Sequence, residues 1–256
     1  MLGAIIGDIV GSVYERKRIK TKEFELFSKA SKFTDDTVLT IAIADAVLKK
    51  ENYCIKIKEY ARRYPNAGYG GLFRKWIKNS SLKPYGSYGN GSAMRVSPIG
   101  FAFKNEKEVL SNARESSNCT HNHPDAVKAA KAVALAIYLA KKGIRKQAIK
   151  ETLSKKFEYN LDRKIADIRK HYKFDSSARG SVPEAIICFL ESVSFEDAIR
   201  NAVSLGGDAD TQACIAGAVA EAYYKNIPEY FIEEARKRLP KEFLNIIDEF
   251  YRIFPI

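Results

Sequence analysis

The sequence predicts an all-α protein. Apolar residues recur at helical spacing along most of the chain, whereas the alternation of apolar and polar residues that is typical of strands is nearly absent. At 256 residues with 46% apolar content, and with no linker-like stretch rich in proline, glycine or serine, the chain can bury a substantial core. We therefore expect a single helical domain that spans residues 1–256.

The apolar periodicity predicts helices at about 36–50, 125–142, 145–157, 183–192, 195–203, 211–225, 229–238 and 241–253. The best candidate for an extended segment is KEFELF at 22–27. Between the first two helices lies a long irregular region, roughly 64–100, that is rich in glycine. Long loops inside a compact domain are usually functional, and glycines permit close approach of the backbone to a ligand.

Two of the predicted helices, at 37–48 and 214–224, are apolar nearly all round, which is typical of helices buried in a core. Each is preceded by acids, in the segments FTDDT at 33–37 and GGDADT at 206–211. Taken one at a time, acids and threonine at a helix start are explained by capping and by the helix dipole. That explanation weakens because the same arrangement occurs twice, about 170 positions apart.

Acids that meet at the ends of buried helices need a counter-charge, since close carboxylates otherwise repel or keep their protons. A hard divalent cation provides it, because Mg²⁺, Mn²⁺ and Ca²⁺ prefer oxygen ligands. Together Glu15, Asp35, Asp36, Asp208 and Asp210 carry a formal charge of −5, which two divalent ions reduce to −1. Two such ions can hold adjacent substrate oxygens and a nucleophilic water. The residues alone therefore predict metal-assisted hydrolysis without identifying the bond.

The formal charge of +12 indicates a basic protein, but cations and acids are interleaved, which favours an ordinary solvated surface. The densest basic run, from Arg16 to Lys22, could contact a nucleic acid or an acidic protein. That signal is weak, because no aromatic residues are interleaved with its cations as they are in single-strand binders.

The expected location follows from cysteine usage and from the absence of targeting signals. The chain has four cysteines, at Cys54, Cys119, Cys188 and Cys214. They are far apart without a C-x-x-C pair, so we expect neither a zinc site nor a disulfide framework, and a reducing compartment. No apolar run is long enough to cross a membrane, and the apolar N-terminal stretch lacks the basic start of a signal peptide. We expect a soluble, cytoplasmic monomer without a membrane partner.

Six segments, in order along the chain, resemble the motifs of the ADP-ribosylglycohydrolase family, the group related to the dinitrogenase reductase-activating glycohydrolase. They read GAIIGDIVGSVYE, FTDDT, YGNGSAMRVSPIG, THNHPDAVKAA, RGSVPEAI and SLGGDADTQACIAGAVAEAYY. This resemblance implies a compact orthogonal all-α fold with two divalent cations, Mg²⁺ or Mn²⁺, at the base of an ADP-ribose cleft. It also implies hydrolysis of the glycosidic bond between ADP-ribose and the group that carries it.

The resemblance assigns the metal and catalytic residues. The implied metal ligands are Thr34, Asp35, Asp36, Asp208, Asp210 and Thr211. Proton transfer is assigned to Glu15, or to a water oriented by Asp35 and Asp36. The metals would hold the hydroxyls of the distal ribose, and the bond to the carrier would break through an oxocarbenium-like transition state. Asp8, in the first motif, is interpreted as a buried structural acid that accepts backbone hydrogen bonds.

The resemblance also implies the residues that contact the ligand. They are Asn90, Gly91, Ser92, Ala93, Met94, His121, Gly180, Ser181 and Val182. The first five form a glycine-containing turn, in which successive N–H groups make a nest for the diphosphate. Arg95 is interpreted either as a phosphate ligand or as a bridge from this loop to a core carboxylate.

Three points about substrate preference follow. Arg179 replaces a neutral amide that is frequent in relatives, and we expect it at the cleft mouth. Candidates for stacking on adenine are Tyr88, Phe103, Tyr172 and Trp76, with core packing as the alternative for each. The sequence does not identify the carrier of the ADP-ribose, which could be arginine, serine, guanidine, a nucleic acid or another group.

Two other functions are compatible with the sequence. One is a non-enzymatic ADP-ribose-binding, regulatory or structural protein on the same fold, because a fold alone does not secure activity. Loss of an acid from either cluster would favour it, and none is lost. The other is a metal-dependent phosphohydrolase, which histidine ligands among the acids would favour; these are missing.

Overall fold

The computed structural model describes residues 1–256 and consists of fifteen α-helices without a strand. The only β-type pairing is an isolated antiparallel bridge between Gly89 and Ser177. The predicted all-α class is therefore confirmed. The segment 22–27, expected to be extended, is irregular and pairs with no strand. No helix combines the length and the apolar character needed to cross a membrane.

The helices are α1 (Leu2–Gly11), α2 (Asp35–Lys49), α3 (Tyr53–Arg63), α4 (Gly71–Lys78), α5 (Gly91–Met94), α6 (Ser97–Ala102), α7 (Glu106–Asn118), α8 (Pro124–Lys141), α9 (Lys146–Phe157), α10 (Ile165–His171), α11 (Ala178–Leu190), α12 (Phe195–Val203), α13 (Ala209–Tyr224), α14 (Glu229–Arg236) and α15 (Lys241–Ile253). The predicted helices correspond to α2, α8, α9 and α11 to α15. The glycine-rich region 64–100 contains the short helices α4 and α5 and the start of α6, with irregular segments between them.

Helix α13 lies at the centre of the core, and every residue from Ala209 to Ala222 is buried. Helix α1 packs along it through glycines at four-residue spacing. A Cβ atom added at Gly7 would lie 2.1 Å from the carbonyl oxygen of Ala213, and one added at Gly11 would lie 2.4 Å from the Cα of Asp210. Only glycine permits this approach of the two backbones. The C-terminal end of α1 is thereby held against the start of α13.

Helix α2 begins beside these two helices, and its first turn is fixed by its N-cap. The hydroxyl of Thr34 accepts a hydrogen bond from the N–H of Asp36 at 3.3 Å. The following residues, from Asp36 to Ala46, are buried. Because α2 and α5 both contact α13, the starts of three helices converge at one end of the core.

A disulfide joins Cys54 in α3 to Cys119, the residue after α7. The two helices also meet where the hydroxyl of Tyr53 donates to the side-chain oxygen of Asn112 at 2.8 Å. The sequence spacing predicted no disulfide framework and missed this disulfide, because spacing does not show which distant helices become neighbours. Because the chain has a disulfide, its cysteines no longer indicate a reducing compartment. The other two cysteines are buried and free.

Candidate functional site

The convergent helix starts form the base of a cleft of about 420 Å³. Glycines at 68–71 and 86–91 form much of its wall. Ten of the predicted site residues line it: Glu15, Asp35, Asp36, Asn90, Gly91, Met94, His121, Asp208, Asp210 and Thr211. The two acidic segments, distant in sequence, are thus brought together in one site.

The acids at the base form two overlapping groups. Oxygens of Asp8, Asp36 and Asp210 lie within 4.8 Å of one another, and so do oxygens of Glu15, Asp208 and Asp210. Asp210 belongs to both groups. A carboxylate shared in this way can bridge two cations, so the arrangement can hold two ions as well as one.

No lysine, arginine or histidine forms an ion pair with any of these acids; only the more distant charges of Arg16 and Arg18 act against their mutual repulsion, at Glu15 and Asp208. Burial, reinforced by the neighbouring Asp8, raises the pKa of Asp35 to about 8. The same two causes raise the pKa of Asp36 well above its ordinary value. Burial and then the charge of Asp208 do the same for Asp210. Oxygen Oδ1 of Asp36 is buried without a hydrogen-bond donor, which suits a cation ligand.

Asp8 connects α1 to the start of α2. Its carboxylate accepts hydrogen bonds from the N–H and hydroxyl groups of Thr34, at 2.9 and 2.6 Å, and from those of Thr37, at 3.1 and 2.5 Å. Burial raises its pKa to about 6. The structure thus gives Asp8 the donors expected of a structural acid. It also places Asp8 beside Asp36 and Asp210, a proximity that the sequence did not indicate.

Thr34 is the one implied metal ligand that does not line the cleft. Its hydroxyl donates to Asp8 at 2.6 Å and lies 3.5 Å from Oδ2 of Asp36. On the opposite side, the hydroxyl of Thr211 lies 3.4 Å from the same oxygen of Asp36. The two threonines therefore flank one carboxylate oxygen of the base.

Glu15 lies at the edge of the acidic base, four residues beyond the end of α1, and its N–H donates to the carbonyl of Gly11 at 3.2 Å. It is half-buried and lines the cleft. Burial raises its pKa, and the charge of Asp208 adds to that effect. A carboxyl group with a raised pKa at a cleft edge is suited to receiving and returning a proton.

The segment expected to hold the ligand is divided between cleft and core. Asn90 lines the cleft and donates through Nδ2 to Asp208 at 2.8 Å and to Ser181 at 3.1 Å. Ser92 and Ala93 are buried and do not line the cleft. Residues 180–182 also lie outside the lining, in the first two turns of α11. Ser181 therefore accepts a hydrogen bond that holds Asn90, and direct contact of residues 180–182 with a ligand stays a prediction.

His121 and Arg95 form one buried unit on the cleft wall. Arg95 donates through Nη2 to the carbonyl of Ser116 at 3.0 Å and to the hydroxyl of Thr120 at 2.9 Å, and that hydroxyl lies 2.6 Å from Nδ1 of His121. Arg95 therefore bridges to the end of α7 and not to a core carboxylate. Burial, and then the charge of Arg95, lowers the pKa of His121 well below its ordinary value. His121 is thus a neutral wall residue.

Of the four residues expected to stack on adenine, only one lines the cleft. Tyr88 lines the cleft and is 63% exposed. Trp76, Tyr172 and Phe103 do not line it; the first two use their polar atoms in hydrogen bonds to backbone carbonyls at 2.9 and 2.8 Å. Arg179, expected at the cleft mouth, lies instead in a separate depression. The cleft gains Phe174, which no sequence signal indicated.

The fold and the acidic cleft define a helical protein with a candidate metal centre, and comparison with known proteins gives its family. The ADP-ribosylglycohydrolase family profile matches residues 1–255, so the chain belongs to that family. The family assignment supports a hydrolase that acts on ADP-ribosylated substrates.

Individual relatives agree with this assignment. The chain is 28% identical to ADP-ribosylhydrolase ARH3 of Mus musculus, over 90% of this chain and 84% of that protein. It is 29% identical to ADP-ribosylhydrolase ARH3 of Xenopus tropicalis, over 88% and 85% of the two chains. A solved ADP-ribosylglycohydrolase-related protein complex superposes with a TM-score of 0.75 at 24% identity, covering 98% of this chain and 96% of that one. This last match shows the shared fold and confirms the predicted architecture.

Proposed function

We propose that the protein is a metal-dependent hydrolase that cleaves the glycosidic bond between ADP-ribose and its carrier. The observation that supports this most directly is the sharing of Asp210 by two groups of acids without ion-pair partners at the base of a glycine-walled cleft. One cation would be held by Asp35, Asp36 and Asp210 with the adjacent Thr211, and the other by Glu15, Asp208 and Asp210. Mg²⁺ and Mn²⁺ both match this all-oxygen donor set.

When bound, the cations supply the positive charge that holds the hydroxyls of the distal ribose and polarises water. The chain supplies the remaining functions. Asn90, held by Ser181, fixes the side chain of Asp208 and so the geometry of the base. As the water oxygen bonds to the ribose carbon and the bond to the carrier breaks, Glu15 takes a proton from the water and passes a proton to the departing carrier oxygen or nitrogen. As the bond to the carrier lengthens, positive charge develops on the ribose carbon, and the surrounding carboxylates stabilise it.

The part of the cleft lined by Gly91, His121 and Tyr88 suits the ADP part of the substrate. Gly91 begins α5, so its N–H has no acceptor within the helix and can donate to a diphosphate oxygen. The ring of His121 packs against Gly91, where an added Cβ would lie 2.9 Å from Nε2. The neutral His121 therefore keeps the loop in place without adding charge, and Tyr88 offers an exposed ring at the rim.

A release assay tests the proposal. The protein is incubated with ADP-ribose linked to arginine, serine, guanidine and a nucleic-acid end, with Mg²⁺, with Mn²⁺ and with EDTA. We expect release from at least one substrate with metal and none with EDTA. Asp210→Asn should lower turnover by roughly a hundredfold or more, because both ion sites lose a ligand. If that variant hydrolyses its substrate normally, the proposal is wrong. Tight ADP-ribose binding by calorimetry without release from any substrate would instead indicate a binding protein.

A further inference from the structure

Two basic segments that are far apart in sequence meet at the Glu15 edge of the cleft. The first is residues 16–22, RKRIKTK, and the second is residues 169–174, RKHYKF; neither contains an acid. Lys20 joins them, since its ammonium group donates to the carbonyl of Tyr172 at 2.5 Å and to that of Leu205 at 2.5 Å. The two runs therefore form one continuous basic surface.

Much of the positive charge on this surface is available to a partner. Lys22 and Lys170 are used in ion pairs with Asp197 and Asp167. By contrast, a second set is exposed and forms no ion pair: Arg16, Lys17, Arg18 and Lys173. Four free cations on one surface favour a partner that carries several negative charges.

The same surface contains an aromatic ring that the first basic run lacks. Phe174 is 38% exposed and lines the cleft. The guanidinium group of Arg18 lies over its ring, 4.6 Å from the centroid. A phenyl ring and an arginine plane are the groups on which unpaired bases stack. Cations interleaved with a stacking platform are typical of surfaces that bind single strands.

This surface adjoins the reacting end of the proposed site. The Nε of Arg18 donates to the backbone carbonyl of Glu15 at 3.3 Å. Phe174 and Glu15 line the same cleft. A carrier that leaves from the ribose carbon on the Glu15 side would therefore pass over this surface.

We propose that the surface made of Arg16, Lys17, Arg18, Lys173 and Phe174 binds a single-stranded nucleic acid that carries the ADP-ribose. The inference rests on the proposed hydrolase function and names its carrier. Phosphates would lie against the free cations, and a base next to the attachment point would stack on Phe174 and Arg18. An acidic protein would use the cations but would gain little from an exposed ring, so the ring favours nucleic acid.

Binding of an unmodified oligonucleotide tests the surface independently of catalysis. The probe is a fluorescein-labelled twelve-residue oligothymidine, titrated with protein at several salt concentrations and followed by anisotropy. We expect the triple variant Arg16→Gln, Lys17→Gln, Lys173→Gln to bind at least tenfold more weakly. Its salt slope should fall by about 2, since each phosphate contact to a single strand contributes about 0.7.

A charge-matched control separates this surface from general basicity. The variant Arg114→Gln, Lys142→Gln, Arg145→Gln removes the same charge from exposed cations elsewhere, none of them ion-paired. We expect it to keep most of the affinity. Phe174→Ala should weaken binding about fivefold or more, whereas Phe174→Tyr should restore it because the ring is kept. Equal losses in the two triple variants, or no loss in Phe174→Ala, would overturn the inference.

Catalysis then distinguishes failure of the inference from failure of the proposed function. With oligonucleotide-linked and serine-peptide-linked ADP-ribose, the surface variants should lower kcat/KM at least tenfold more for the oligonucleotide. Release from the peptide with no surface-dependent oligonucleotide binding would refute the inference alone. Surface-dependent binding with no release from any substrate would refute the proposed function alone. Stronger competition by a glutamate-rich peptide than by oligothymidine would assign the surface to an acidic protein and refute the nucleic-acid carrier.

Discussion

Replacing Asp35 by asparagine should stabilise the metal-free protein while impairing its function. Burial and the charge of Asp8 raise the pKa of Asp35 to about 8 from an ordinary value of 3.8. For an acid whose pKa is raised by folding, the folded state binds more protons, so stability is lost as pH rises between these two values. Asparagine does not ionise, so the variant should not lose folding stability in this pH range.

The size of the effect follows from the two pKa values. At pH 7 the separation from the unfolded pKa is about 3 units, and each unit corresponds to about 1.36 kcal/mol, which gives about 4 kcal/mol. The stabilisation by asparagine should be smaller than this, because the side chain of Asp35 is only partly buried and because its ionisation depends on whether the neighbouring acids are protonated. We therefore expect a net stabilisation on the order of 2 kcal/mol.

Urea denaturation in EDTA at pH 4 and at pH 7.5 measures this difference. Asp35→Asn should unfold at higher urea than the parent at pH 7.5, and at nearly the same urea at pH 4. Adding Mg²⁺ should stabilise the parent much more than the variant. Asp162→Asn serves as the control, because Asp162 pairs with Lys150 on the surface, its pKa is lowered, and its loss should not stabilise the protein. A variant no more stable than the parent in EDTA at pH 7.5 would show that the carboxylates of the base do not repel as argued.

Two further changes test the packing that builds the site. Gly11→Ala should lower the free energy of unfolding by about 1–3 kcal/mol and weaken the Mg²⁺-dependent thermal shift, because its Cβ would lie 2.4 Å from the Cα of Asp210. Gly70→Ala, with no atom within 4 Å, should leave stability unchanged, and equal losses in both would contradict the packing argument. Cys54→Ser should lower unfolding free energy by about 2–4 kcal/mol in non-reducing urea titrations, because the disulfide spans 65 residues. Dithiothreitol should weaken the parent to a similar extent and leave the variant unaffected.

The sequence could predict features that lie within one short segment of the chain. The acids of FTDDT and GGDADT stand out because each opens a buried helix, and periodicity identified both helices. The glycines at 3, 7 and 11 are equally visible in the sequence, and their four-residue spacing could have indicated a helix packed closely against another. What spacing could not give was which elements become neighbours. For that reason the Cys54 to Cys119 disulfide and the place of Phe174 beside residues 16–18 came only from the structure.

The glycine face of α1 explains why two groups of acids form around one aspartate. Asp8 lies within α1, and Glu15 lies in the turn that follows it. Because Gly11 lets the backbone of α1 touch the Cα of Asp210, these two acids reach Asp210 from the same segment, Asp8 in one group and Glu15 in the other. The contact that closes the core therefore also assembles both acidic groups. A shift of α1 along α13 should disturb both acidic groups together, whereas loss of Asp36 should weaken only the group that it shares with Asp8.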